Sequence, residues 1–213
     1  PDSLHDWVLL REYNCDGKMD IFTSYKGGVA AYKNTSTSQL SFALDMNQIL
    51  SDVHPDSITP SYSNLYISTA NLPAFDDIDN DGDLDILTLS VIGGRVEYHK
   101  NLSMERNGNC SQLDFQLRNK CWGYFYENSL DNSVTLFDTC LANVSAPEST
   151  NAHSGSTLLA LDMTGNGVKD LVLGDVSFNM ESQKTELNGF LMLDFFFSKE
   201  AMEVMAKDIY SAP

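Results

Sequence analysis

The stretch FDDIDNDGDLDIL (75–87) sets carboxylates at Asp77, Asp79, Asp81, Asp83 and Asp85, on alternate positions. The chain already carries 30 acidic against 13 basic residues, a formal net charge of −17. Two carboxylates about 4 Å apart repel by roughly 4 kcal/mol at an effective dielectric near 20. Such a loop either stays open and hydrated or encloses a cation. A hard divalent ion takes about six to eight oxygens at about 2.3 to 2.6 Å. Side-chain oxygens at positions 1, 3, 5 and 9 of a tight turn can converge on one point, and the position-7 carbonyl adds another. Gly at position 6 permits the positive-φ bend that folds the chain around the ion.

The spacing occurs three times. In the first copy the side-chain ligands are Glu12, Asn14, Asp16 and Asp20, with the Lys18 carbonyl and Gly17 at the bend. In the second they are Asp77, Asp79, Asp81 and Asp85, with the Asp83 carbonyl and Gly82. In the third they are Asp162, Thr164, Asn166 and Asp170, with the Val168 carbonyl and Gly167. Turn-forming Asn, Asp and Gly explain any single copy about as well as a cation does. Three copies in register between apolar runs favour the cation. An EF-hand loop begins the same way but needs a Glu at position 12 and a helix after it. Position 12 is Thr23, Thr88 and Leu173, within strand-favouring IFTS, ILTL and LVLG.

The elements around the loops repeat as well. Short apolar runs, WVLL, LPAF and STLLAL, precede them. In the first two copies a strand, a Gly-Gly turn (KGG, IGG) and a second strand ending in Lys-Asn follow. Loops starting at Glu12, Asp77 and Asp162 leave room for about four short strands each, the content of one propeller blade. The chain is expected to be all-β, one β-propeller-like domain over 1–213. Repeats lie at about 5–50, 65–105 and 155–197, with a cysteine-bearing insertion at about 106–150. A short helix is expected at 198–210, where Ala201, Met202, Met205 and Ile209 share a face. Propellers close with about 4 to 8 blades, so three imply an incomplete propeller. NGFLMLDFFFS (188–198) then reads as an edge strand awaiting a partner.

The pattern D-x-[DN]-x-D-G-x-x-D before an apolar strand resembles the FG-GAP/VCBS repeat of integrin-α-like β-propellers. HSGSTLLALDMTGNGVKDLVLGDVSF (153–178) is similar to segments of large exported bacterial proteins that carry this repeat. The resemblance implies calcium in a β-hairpin loop of each blade, an extracellular setting, secreted or at the cell surface, and adhesion or carbohydrate-associated roles. Glu12 and the cysteine-bearing segment depart from the family pattern. Solvent-exposed loops of this type bind calcium with Kd of about 10⁻⁴ to 10⁻³ M and fill where calcium is millimolar, which agrees with an exterior setting. The expected function is a non-enzymatic calcium-binding module for binding, adhesion or scaffolding, facing a protein or carbohydrate ligand and further blades of a longer parent chain. The alternative is the propeller of a secreted polysaccharide-processing or other hydrolytic enzyme. Carboxylate number predicts tightest binding in the second copy and weakest in the third.

Other classes are disfavoured. The acidic balance argues against nucleic acid and anionic membranes. The longest apolar run, FLMLDFFF (190–197), is interrupted by Asp194 and is too short for a span. The start lacks Met and a signal peptide, so the chain reads as a piece of a longer protein. Cys15, Cys110, Cys121 and Cys140 lack a metal-type pairing. Export would allow one disulfide, Cys110–Cys121 or Cys121–Cys140; buried free thiols are the other reading. Sequons at Asn34, Asn101, Asn109 and Asn143 are expected by chance in this composition. His5, His54, His99 and His153 are scattered, and His99 reads as a surface residue. Ser154 and Ser156 beside His153 lack a G-x-S-x-G elbow. Asp76 and Asp77 are adjacent strand residues facing opposite ways, so they are not an acid–base pair. CWGYFYEN (121–128) reads as a buried strand rather than a sugar-stacking platform. No catalytic residue is assigned.

Overall fold

The computed structural model describes residues 4–91, 94–127, 134–140, 156–179 and 184–193. The expected helix at 198–210, His153, Ser154 and the Asn143 sequon lie outside the described residues. The chain is mostly β. Strands β1 (Val8–Arg11), β2 (Asp20–Tyr25), β3 (Gly28–Asn34) and β4 (Phe42–Met46) form an antiparallel meander, the first sheet. Strands β5 (Leu50–Asp52) and β6 (Tyr62–Asn64) pair as a hairpin. Then β7 (Ala74–Asp76), β8 (Asp85–Leu89), β9 (Val96–Asn101), the short helix α1 (Ser103–Asn107) and β10 (Phe115–Trp122) follow. β7 to β10 form a second antiparallel meander, which β5 joins parallel to β10. β11 (Phe125–Glu127) pairs with β12 (Val134–Leu136), and β13 (Ser156–Leu161), β14 (Asp170–Asn179) and β15 (Lys184–Leu193) make the third sheet. Each sheet is open. β10 lies in the segment expected as an insertion, yet it supplies the fourth strand of the second meander.

The sheets stack in chain order because their strands alternate apolar side chains between two faces. On β8, Ile86 packs with Phe22, Val29, Ala31 and Phe75 between the first and second sheets. Leu87 and Leu89, pointing the other way, pack with Leu158, Ala160, Leu171 and Leu173 between the second and third. All five residues of β8 are therefore buried, as a strand covered on both faces requires. β13 is covered on one face only, and its burial alternates. The Phe22 and Phe75 rings meet at 4.6 Å between centroids. Truncating either to Ala is expected to cost about 3 to 5 kcal/mol.

The Gly-Gly turn of the first copy is made by Lys26 and Gly27, both at positive φ, as a two-residue hairpin of the type that matches strand twist requires. Gly28 opens β3, where a Cβ would run into the Asn64 side-chain amide.

Three residues, Cys15, Cys110 and His99, differ from expectation. Cys110 pairs with Cys15 rather than Cys121, while Cys121 pairs with Cys140, and no free cysteine remains. Packing of the first sheet on the second brings Cys15 and Cys110 together across 95 residues, which chain proximity could not indicate. His99 is buried rather than at the surface: it lies on the face covered by the first sheet, with its Nδ1 2.8 Å from Ser51 Oγ. Asn101 is fully buried, its side-chain oxygen accepting from Ser103 N–H and Asp114 N–H. That sequon is a turn motif. The stretch CWGYFYEN, expected as one buried strand, is instead broken by a turn. β10 ends at Trp122, Gly123 and Tyr124 take positive φ with Tyr124 exposed, and β11 begins at Phe125, where Phe125 and Tyr126 are buried.

Candidate metal centre

All three acidic loops occupy equivalent hairpins. The closing pairs are Arg11↔Asp20, Asp76↔Asp85 and Leu161↔Asp170, so position 9 opens the second strand every time. The position-6 glycines have φ of 76° (Gly17), 100° (Gly82) and 86° (Gly167). Position 4 is left-handed too, at Cys15, Asn80 and Gly165. Sequence reasoning missed this second bend. The tolerance of Asn and Gly for that region was the available signal, and Cys15 masked it.

A common hydrogen-bond frame holds each loop. The position-9 carboxylate accepts the position-2 N–H: Tyr13 to Asp20 (3.3 Å), Ile78 to Asp85 (3.1 Å) and Met163 to Asp170 (2.8 Å). The position-5 side chain accepts the position-7 N–H: Lys18 to Asp16, Asp83 to Asp81 and Val168 to Asn166. Position-1 aspartates accept the next N–H groups across the bend, from Asp81 and Gly82 to Asp77, and from Gly165, Asn166 and Gly167 to Asp162. Glu12, one methylene longer, instead accepts from Asn14 N–H.

The repeated Lys-Asn after the Gly turn now has a role. Asn34 N–H and Asn101 N–H donate to Asp20 (2.7 Å) and Asp85 (2.8 Å), tying the third strand to position 9. Lys33 reaches Asp16 at 4.0 Å, and Lys100 reaches Asp81 at 2.9 Å.

Only the second loop, among the described residues, gathers carboxylates closely enough for an ion. Asp77, Asp79 and Asp85 have oxygens within 4.8 Å of one another, and Asp79, Asp81 and Glu105 form a second such group. In the first copy Glu12, Asp16 and Asp20 do not come together in this way, and in the third Asp162 and Asp170 are the only carboxylates. Glu105 comes from α1, outside the motif, so loop spacing could not find it. The Asp83 side chain, expected only to offer its carbonyl, accepts Met104 N–H at 2.8 Å and anchors α1.

Burial raises the carboxyls of the second loop. Asp85 is pushed up to about 8, with the Asn101 N–H bond opposing and the Asp79 charge reinforcing. Asp83 is pushed up to about 6, against the opposing Met104 N–H bond. Burial also raises Asp77, and Asp20 in the first copy. At Asp81 burial is outweighed by the Lys100 ammonium and the Asp83 N–H, so its carboxyl lies below the ordinary value. At Asp162 the Gly167 N–H leads in lowering it. Lys100 also contacts Asp79 and Glu105 and is held protonated by these carboxylates despite its own burial. The loop thus carries a tethered cation where negative charge concentrates.

The donors suit a hard cation: every side-chain donor is oxygen. Three buried loop oxygens, Asn14 Oδ1, Asp83 Oδ1 and Asp170 Oδ1, have no hydrogen-bond partner. Asp170 is 1 % exposed, so its free oxygen is costly without a ligand. The second and third loops touch: Asn80 donates to the Gly167 carbonyl at 2.6 Å, and Lys169 pairs with Asp76 at 2.9 Å. All three loops lie at one rim of the stack, where Arg11 Nε donates to the Phe75 carbonyl at 2.7 Å.

Ser51 and His99, the one hydroxyl–imidazole pair of note among the described residues, are 0 % and 4 % exposed. That enclosure suits a core hydrogen bond rather than a nucleophile. No protein-family model, curated protein or solved structure matches this chain.

Proposed function

We propose that the chain is part of a calcium-binding β-propeller of the FG-GAP/VCBS kind, serving outside the cell as a non-enzymatic module for binding, adhesion or scaffolding. The observation that carries this reading is the equivalence of the three loops: same hairpin, same closing register, same two left-handed bends, and the same N–H bonds to positions 5 and 9. Asp77, Asp79, Asp81 and Asp85 would hold an ion in the second loop, with weaker counterparts in the first and third. Calcium would supply charge neutralisation and cross-link loop to strand, stabilising the folded chain because the unfolded one lacks the site. Two disulfides fit an oxidising compartment.

The first sheet supports an incomplete ring. Leu10 pairs with Ile21, Ile21 with Tyr32 and Tyr32 with Leu44, so these share the face turned from the second sheet. Leu10 and Leu44 are 51 % and 54 % exposed there, as expected where a preceding blade of a longer chain would pack.

Calorimetric titration with calcium tests the reading. Asp81→Ala should weaken binding more than Asp170→Ala, because the second loop has more carboxylates. Melting temperatures identical in chelator and in millimolar calcium would refute it.

A further inference from the structure

The parallel pair β5–β10 ends early. Phe115 aligns with Ser51 and Gln116 with Asp52, after which β5 stops and the chain turns away through residues 53–57. Asp52 fixes that departure by accepting from His54 N–H, Ser61 N–H and Gln116 Nε2. β10 runs on without β5, still paired with β9, and its register against β9 shifts between Leu117 and Asn119 and again before Trp122. Bulges of this kind re-aim side chains and recur beside binding sites. Between the diverging segments lies a cleft of about 450 Å³, within the size range of small-molecule sites.

Its lining is unlike the rest of this surface. Arg118 and Lys120 project from the bulged strand and His54 from the departing turn, with Asp56 as the one acidic side chain. In a chain of net charge −17, Lys33, Lys100, Arg106 and Lys169 are all held by carboxylates. Arg118 and Lys120, both exposed, have no ion pair among the described residues. Val53, Pro55 and Leu117 supply an apolar wall. Two unpaired cations over an apolar wall select an anion with an apolar body: the guanidinium offers a planar fork to two oxygens and the ammonium a point charge.

We propose that this cleft binds a small organic anion, a carboxylate or sulfate whose apolar body lies against Val53, Pro55 and Leu117. The proposal is independent of the calcium reading.

The test is titration of the full chain with phenylacetate, phenyl sulfate and the neutral twin phenylacetamide, followed by two-dimensional NMR. At least one anion should shift resonances of residues 53–57 and 117–120 and bind at least tenfold tighter than the amide. Whichever anion binds tighter assigns the head group. Arg118→Gln combined with Lys120→Gln should remove at least tenfold of that affinity with an otherwise unchanged fingerprint, whereas Lys26→Gln, which removes an exposed cation elsewhere on the surface, should leave it intact. Equal binding of the amide, undiminished binding by the double variant, or no shift with either anion would overturn the proposal.

Discussion

Replacing Lys100 by Met keeps the aliphatic stem and deletes the ammonium at the second loop. In the present structure that ammonium lies 2.9 Å from Asp81 and 2.5 Å from Glu105, contacts Asp79, and is 16 % exposed. Partly exposed ion pairs contribute about 0.2 to 1 kcal/mol each, so losing three should destabilise the metal-free chain by about 1 to 2 kcal/mol. Towards a divalent ion the effect has the opposite sign. Two unit charges about 4 Å apart in water repel by about 1 kcal/mol, and a divalent ion doubles that to about 2 kcal/mol. Lys100→Met should therefore tighten calcium binding by about thirtyfold. Scanning calorimetry in chelator and in millimolar calcium reads both halves: the variant should melt lower without calcium and gain more from it than the unaltered chain. Isothermal titration gives the affinity directly. Unchanged or weaker binding by a folded Lys100→Met chain would refute the idea that a tethered cation competes for the loop.

Two further outcomes are expected. The folded chain keeps protons on Asp85 (about 8) and Asp83 (about 6) at pH values where the unfolded chain, with carboxyls near about 4, has released them. Metal-free stability should therefore fall as pH rises from about 4 to 8, by up to about 1.4 kcal/mol per pH unit for each such group; saturating calcium should flatten the slope, and denaturation at several pH values with and without chelator checks it. Removing the Cys15–Cys110 bridge with Cys15→Ser and Cys110→Ser together should lower stability by about 2 to 4 kcal/mol, because it closes a loop of 95 residues in sequence; urea denaturation of the double variant measures the loss.

The acidic loops, their place between two strands and their failure as EF-hands were legible because each depends on neighbours in the chain. Spacing of side-chain oxygens, a glycine at the bend and the strand-favouring residues after position 9 act over a few residues, where covalent geometry leaves few alternatives. Asn34 and Asn101 were read as chance sequons, although the Lys-Asn repeat was visible; that their N–H groups secure position 9 required the third strand in place. The partners of the long-range groups were decided by tertiary structure alone. Glu105 joins the second loop because α1 folds back over it. Cys15 meets Cys110 because two sheets stack, and His99 is enclosed for the same reason. The third loop's shortage of carboxylates was already legible in the sequence, whereas the failure of Glu12, Asp16 and Asp20 to converge in the first appeared only in the fold. Burial and long-range contact depend on which faces meet, whereas a hairpin loop is shaped by the residues it contains.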